Sequence, residues 1–374
     1  MHKVLTILPP RQSYYQDREA FALIPGFDPV YATDHETALA RAKAPVKTVQ
    51  PRYIVPSAIP RGAASLLGKV VAIEELLTSV APELVVTFEL HSRISFDVAN
   101  FRSRLGFRHL VVAYETTPLN RGLWGMFPLT RFRAHRTAKM VDRCLAYSSK
   151  TETALISAGV ARERIIRTRP GIYLGGAAAL VEKRAAVADQ VLFVGALKSN
   201  KGLLTLIDAM SMVRDLPELE SRSPRLVIAG MGPLSRRVRE CAKGESWIDF
   251  RGYVASDERD ELYRSSALFV CPSEDIRWGH IIRWEEQTAT SVLEAMAAGL
   301  PVIGSDSGTL PEILQDSRVI FRQGSPRALA LSIRRLLLDD AFRTQKSEEN
   351  RVRAERDFEI HDVARFIGES LARS

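Results

Sequence analysis

Cysteine is scarce in this chain: three residues in 374, Cys144, Cys241 and Cys271, far apart and with no C-x-x-C pair. That spacing excludes the zinc-ribbon, haem-attachment and thioredoxin signatures and fits a reducing compartment. Long apolar runs are missing as well; none approaches the roughly 18–20 residues that span a bilayer. The opening MHKVLTILPPRQ holds an apolar stretch too short for a signal-peptide core, so a cytoplasmic protein is expected. His35 and His91 have no partner at metal-ligand spacing, and His280 beside Trp278 reads as structural. There is no short-period repeat and no low-complexity tract. The composition present, 46% hydrophobic and 26% charged, is that of a globular chain of about two domains. A chain of this length buries enough surface to need no disulfide or metal staple.

Fifty-two Lys and Arg against 44 Asp and Glu give +8, and the excess is concentrated. Residues 101–143 hold Arg102, Arg104, Arg108, Arg121, Arg131, Arg133, Arg136, Lys139 and Arg143 against only Glu115 and Asp142. Trp124, Phe127 and Phe132 are interleaved with them over 121–136. Basic and aromatic residues together suit nucleic acid, an anionic membrane or a phosphate-bearing substrate, or else a solvated surface over a few core aromatics. Gly122, Gly125 and Pro128 interrupt any single recognition helix and no nucleic-acid module accompanies the patch, so no nucleic-acid partner is expected.

Apolar runs alternate with helix-length segments along the whole chain. KVLTIL (3–8), ELVVTF (83–88), HLVVAYE (109–115) and RCLAYSS (143–149) read as buried strands, with a helix-like stretch over 66–80. QVLFVGAL (190–197), RLVIAG (225–230), WIDFRGYV (247–254), ALFVCPS (267–273), PVIGSD (301–306) and RVIFRQ (318–323) form a second series, with a helix over 202–214. Such alternation implies parallel sheets with crossover helices. The expected fold is α/β, two Rossmann-like doubly wound domains facing each other across a cleft. The expected boundaries are 1–172 for the first domain, 173–189 for a linker and 190–354 for the second, with a helix over 355–374 packing back on the first. Ligands in open α/β sheets bind at the carboxyl ends of the strands.

The stretch 284–303, WEEQTATSVLEAMAAGLPVI, carries the most chemistry. Ser291 and Glu294 have the S-x-x-E spacing of a capping box, and Gly299 and Pro301 mark the helix end. A carboxylate at such a helix start could equally accept hydrogen bonds from a ribose diol, while the exposed N–H groups hold phosphates. Glu286, several residues before the helix, is expected to project from a loop into the cleft. Gly230 and Gly232 suggest a dinucleotide loop, but Pro233 and Leu234 spoil G-x-G-x-x-G.

Glu286 and Glu294 stand in the E-x7-E relation of retaining glycosyltransferases of family 4, whose fold is GT-B, and the sequence resembles that family. VLFVGALKSNKG resembles the glycine loop and lysine that open its donor domain. LVIAGMGPL, FRGYV, LYRSSALFVCPS, the 284–303 stretch and GTLPE are similar to successive donor-domain motifs. The segment 148–172 resembles the end of the acceptor domain. These motifs run collinearly over roughly 145–315.

The resemblance implies a metal-independent, retaining hexosyltransferase with no cofactor beyond its nucleotide-sugar co-substrate, such as a UDP- or GDP-sugar. It implies Glu294 at the donor ribose, Glu286 at the sugar hydroxyls and Lys201 at the diphosphate. It places Thr290, Ser291, Gly195, Lys198 and Thr309 around the donor, Tyr253 and Val254 near the base, and Glu115 near the transferred sugar. The absence of a D-x-D motif agrees with the expectation of no metal. The acceptor is expected to be a glycan, a lipid-linked precursor or a small molecule, with residues 121–136 on an anionic membrane face. Ala196 stands where the family usually has arginine, a charge Lys198 could replace, and Thr288-Ala289 replaces the usual Phe-Gly. These departures leave open a GT-B epimerase or phosphorylase, or a non-catalytic subunit with a degraded donor site.

Overall fold

A computed structural model describes residues 2–8, 20–33, 47–51, 53–54, 69–119, 121–174 and 189–373. Most of the expected linker and His35 lie outside these residues. The chain divides into two compact units. The first comprises Met1–Gly171, Trp278–Ile282 and Ile360–Ser374, and the second Ile172–Arg277 and Arg283–Glu359. The terminal stretch thus splits: helix Asp340–Asp357 lies in the second unit and helix Ile360–Ala372 in the first.

The strands follow the apolar runs closely. In the first unit they are β1 (His2–Ile7), β2 (Phe27–Ala32), β3 (Lys47–Val49), the short antiparallel pair β4 (Tyr53–Ile54) and β5 (Lys69–Val70), β6 (Leu84–Phe88), β7 (Arg108–Ala113), β8 (Arg143–Ala146) and β9 (Ile165–Arg167). Further along the chain come β10 (Gln190–Val194), β11 (Arg225–Ala229), β12 (Ile248–Gly252), β13 (Leu268–Cys271), the two-stranded pair β14 (Ile276–Trp278) and β15 (Ile281–Trp284), β16 (Val302–Ser305) and β17 (Ile320–Phe321). Two expectations shorten. The helix foreseen over 66–80 begins at Ile73, and of 318–323 only Ile320–Phe321 forms a strand, β17, directly after the 3-10 turn Ser317–Val319.

The first unit holds a parallel sheet of order β3-β2-β1-β6-β7-β8-β9; the second holds one of order β12-β11-β10-β13-β16-β17. Both run outward from a first strand and then reverse, between β1 and β6 in one and between β10 and β13 in the other. These reversals are the topological switch points where doubly wound sheets bind ligands. Central strands read as continuous apolar runs because helices cover both faces: every residue of β6, β13 and β16 is buried. Leu192 of β10 lies in register with Val227 of β11 and Phe269 of β13. Local chemistry sets the helix starts. Ser92, Ser148 and Ser325 each accept a backbone N–H three residues on, and Gly106 closes helix Arg93–Leu105 at φ +75°.

Candidate functional site

In the second unit the loops after β10, β11, β12, β13 and β16 gather the sequence candidates. Lys201 follows β10, at the switch point. Its Nζ donates to Glu286 Oε2 at 2.5 Å and lies 4.9 Å from the centre of the Trp284 ring. Ser273, just past β13, donates its hydroxyl to the same carboxylate oxygen at 2.5 Å. Glu286 is 3% exposed, so it does not project from a loop as expected but sits buried, paired with the half-buried Lys201. A carboxylate so placed is tenable only because both its charge and its lone pairs are answered. The Cys271 thiol beneath this cluster is pushed up to about 12, by burial first and then by the Glu286 charge, and is chemically inert.

Backbone packing fixes the loops that carry the pair. Gly202 has φ +63°, and a Cβ there would fall 1.7 Å from the Pro272 carbonyl oxygen. Gly308 has φ +53°, and a Cβ there would fall 1.8 Å from the Glu286 carbonyl oxygen. Only glycine supplies both the left-handed conformation and the space. Thr309 is buried. Its N–H donates to Glu286 O (2.9 Å) and its hydroxyl to Gln287 O (2.7 Å), so this side chain holds the glutamate loop in place.

Helix Thr290–Ala297 starts without the expected capping box. Ala289 is the N-cap, no side chain caps the helix, and the Thr290 N–H turns back to Thr288 O at 2.9 Å. Glu294 is drawn elsewhere. Its Oε2 accepts from the Tyr263 hydroxyl at 3.0 Å and lies 3.5 Å from Arg259 Nε. The Tyr263 phenol is held well above its ordinary range, by burial first and then by the Glu294 charge, so it remains a donor. Tyr263 and Arg259 were not singled out from the sequence. The pattern LYRSS marks their helix, but only the fold brings it to residue 294. Glu294, Thr290 and Ser291 remain half-exposed at this helix start.

Gly195 lies in the turn after β10, with Ala196 and Lys198 exposed beside it. The Gly230-x-Gly232 pair packs against this turn, since a Cβ at 230 would fall 1.9 Å from Gly195 O. The glycines serve a close backbone approach between neighbouring turns, which accounts for their spacing without a dinucleotide. Tyr253 is 74% exposed and Val254 half-buried, directly after Gly252. Among the described residues no group of three or more His, Cys, Asp or Glu side chains is arranged to hold a metal ion.

Glu115 belongs to the first unit, past β7. Its carboxylate accepts the Thr117 N–H at 3.0 Å, and it lines a small cavity of about 20 Å³ with Glu89 and His91 at the carboxyl ends of β6 and β7. His91 is buried and burial lowers its pKa to about 4, so it is a neutral imidazole there. The basic stretch splits into two faces. On helix Pro128–Met140, Phe132 is 52% exposed with Arg131, Arg136 and Lys139 beside it, and Met126, Phe127 and Leu129 at its start are exposed to a similar degree. Arg133 is the exception. It is 6% exposed, and burial and the nearby Arg93 lower its pKa, so it belongs to the interior and not to the basic face.

Solved structures with the same architecture exist. The Anabaena protein HepE in complex with UDP matches over the whole of both chains with a TM-score of 0.76 at 16% identity. WaaG, a glycosyltransferase of lipopolysaccharide biosynthesis, matches over 98% of both chains with a TM-score of 0.66 at 16% identity. The chain therefore has the GT-B fold of glycosyltransferases. Residues 188–339 match the family described as Glycosyl transferases group 1.

Among curated proteins, an uncharacterised glycosyltransferase of Methanocaldococcus jannaschii is 32% identical over 158 residues, 41% of this chain and 37% of that protein. A GDP-mannose-dependent phosphatidylinositol monomannoside mannosyltransferase of Mycobacterium tuberculosis is 27% identical over 229 residues, 58% of each chain. The chain thus spans less than two thirds of the length of these relatives. No helix among the described residues is long and apolar enough to cross a membrane.

Proposed function

We propose that this protein is a retaining, metal-independent glycosyltransferase that moves a sugar from a nucleoside diphosphate to a lipid-linked acceptor at an anionic membrane surface. The observation that carries the reading is the pairing of half-buried Lys201 with buried Glu286 at the switch point of the second unit. In this role Lys201, drawn from Glu286 by the incoming donor, neutralises the diphosphate, whose charge grows as it leaves. Glu286 would accept from the sugar hydroxyls. Glu294, steadied by Tyr263 and Arg259, would accept from the ribose diol. The backbone at Thr290 and Ser291 would meet the phosphates, with Gly195 and Lys198 near them and Tyr253 and Val254 beside the base.

The acceptor oxygen would bond to the anomeric carbon on the face from which the diphosphate departs, its proton passing to the departing phosphate oxygen. That path needs no protein nucleophile. Glu115, on the first unit, would contact the transferred sugar.

UDP in the HepE complex and the GDP-mannose dependence of the mycobacterial relative support a UDP- or GDP-sugar donor. That relative acts on a phosphatidylinositol monomannoside, which together with the exposed Phe132 and Arg131 favours a lipid-linked acceptor. The test is thermal melting with UDP, GDP and ADP, each at about a hundredfold over a dissociation constant, where one-site binding adds about 2.7 kcal/mol. A shift with one diphosphate, lost in Glu294→Ala, is expected. No shift with any of them would retire the donor site and leave a non-catalytic protein.

A further inference from the structure

At the amino edge of the first unit's sheet, opposite the edge where doubly wound folds hold their ligands, lies a cavity of about 430 Å³. That volume is within the range of small-molecule sites. Leu84, Leu110 and Leu371 give it an apolar wall, and Arg108, Arg143 and Arg164 line it as well. Among the described residues the hydrogen bonds of these arginines go to main-chain oxygens alone. Arg108 donates to Leu371 O at 3.2 Å, Arg164 to Val141 O at 3.1 Å and Arg143 to Glu163 O. Each guanidinium has five N–H donors, so most of them stay available, and no carboxylate among the described residues cancels their charge.

Two acidic groups share the cavity. Asp142 is already engaged: Arg102 donates to both its oxygens and the His109 N–H to one of them at 2.7 Å. Glu163 is exposed and keeps its carboxylate free at the rim. His109 lines the cavity fully buried; its Nε2 pairs with Thr87 Oγ1 at 2.8 Å, while its Nδ1 has no hydrogen-bond partner among the described residues. Burial and the Arg102 charge outweigh Asp142 and bring its pKa to about 3, so the ring is neutral and offers a hydrogen bond without charge.

We propose that this cavity is a second ligand site, separate from the Lys201–Glu286 cluster of the other unit, for a phosphate ester that also carries hydroxyl groups. The three guanidinium groups take the phosphate, Glu163 accepts from a hydroxyl, and the leucines take the carbon face of the ligand. Charge-assisted, planar donors are the side chains suited to phosphate oxygens. A soluble sugar phosphate and the headgroup of a phosphatidylglycerol both have this chemistry.

Calorimetric titration of the full chain, with UDP saturating the other unit, distinguishes the two sources and tests the site. The probes are glucose 6-phosphate, vesicles of phosphatidylglycerol in phosphatidylcholine, and glucose as the uncharged control. Binding of glucose 6-phosphate or of the vesicles, at least tenfold weaker in Arg108→Gln/Arg143→Gln and unchanged in Lys201→Met, supports the site, and the stronger probe names the source. Glutamine keeps a donor for the main-chain oxygens, and an unchanged melting temperature shows that the variant folds. Failure of both probes at millimolar concentration overturns the proposal. So does binding that survives the arginine substitutions, or that vanishes in Lys201→Met. Vesicle binding lost in Arg131→Gln/Arg136→Gln but kept in Arg108→Gln/Arg143→Gln would assign the phosphate contact to helix Pro128–Met140 and equally overturns it.

Discussion

The two units share one plan, a parallel sheet that reverses direction about its first strand, yet they place their charge in opposite ways. In the second unit the switch point is occupied by a compact, internally neutralised pair, Lys201 and Glu286, wrapped by Ser273 and Trp284. In the first unit the carboxyl edge closes around a cavity of about 20 Å³, and the positive charge lies on the outer face of helix Pro128–Met140 and at the amino edge of the sheet. One sheet plan can thus present a buried, geometry-fixed site or an exposed, charge-rich surface. Loops and helix faces decide which, because they can vary while the strands cannot.

The sharpest way to test that contrast is Lys201→Ala. Removing this cation should lower the turnover of sugar transfer by about 10²–10³-fold, read from steady-state rates with the diphosphate sugar that melting identifies. An unchanged rate would mean that the second unit's pair is only a structural ion pair. Next, neutralising Arg131, Arg136 and Lys139 together should weaken binding to anionic vesicles by roughly 100-fold, at about 1 kcal/mol per surface charge. Arg133→Gln should leave vesicle binding unchanged and lower the melting temperature instead, because its side chain is buried. Vesicle sedimentation beside calorimetry reads both.

Smaller effects probe the supports. Tyr263→Phe removes a buried donor to a carboxylate, worth about 1.5–3 kcal/mol, and should weaken nucleoside diphosphate binding about tenfold or somewhat more. If affinity is unmoved, Glu294 is not the ribose ligand or needs no steadying. The smallest concerns pH. His109 is neutral when folded, with its pKa lowered to about 3, while unfolded histidine takes up a proton near pH 6.5. The unfolded state therefore binds more protons below that value, so stability is full above about pH 6.5 and declines as pH falls towards 3. Between pH 7 and 6 the loss should be under about 1 kcal/mol, visible as a falling melting temperature whose slope flattens in His109→Gln.

Much of this architecture is legible in the sequence, since strands buried on both faces leave uninterrupted apolar runs such as ELVVTF and ALFVCPS. The candidate residues of the second unit are legible for a related reason: they sit directly after those runs, where the fold puts ligands. What the sequence hides is who holds whom. Tyr263 reaches Glu294 from 31 residues away. The S-x-x-E box is a valid local signal, but the distant tyrosine and arginine outcompete it for the carboxylate. Arg133 lies among exposed basic residues in the sequence and faces inward in the helix, a distinction of one hundred degrees of helical rotation that composition cannot carry.

The pairing of Lys201 with Glu286 also bears on selectivity. Glu286 already cancels the lysine charge, so a bare inorganic anion gains little by arriving: it must first pull the pair apart and offers nothing else in return. A nucleoside diphosphate brings further contacts, through ribose and base, that can offset the separation. If the site takes a nucleoside diphosphate as proposed, the same pair would act as a filter, keeping an abundant small ion from competing for the larger ligand's place.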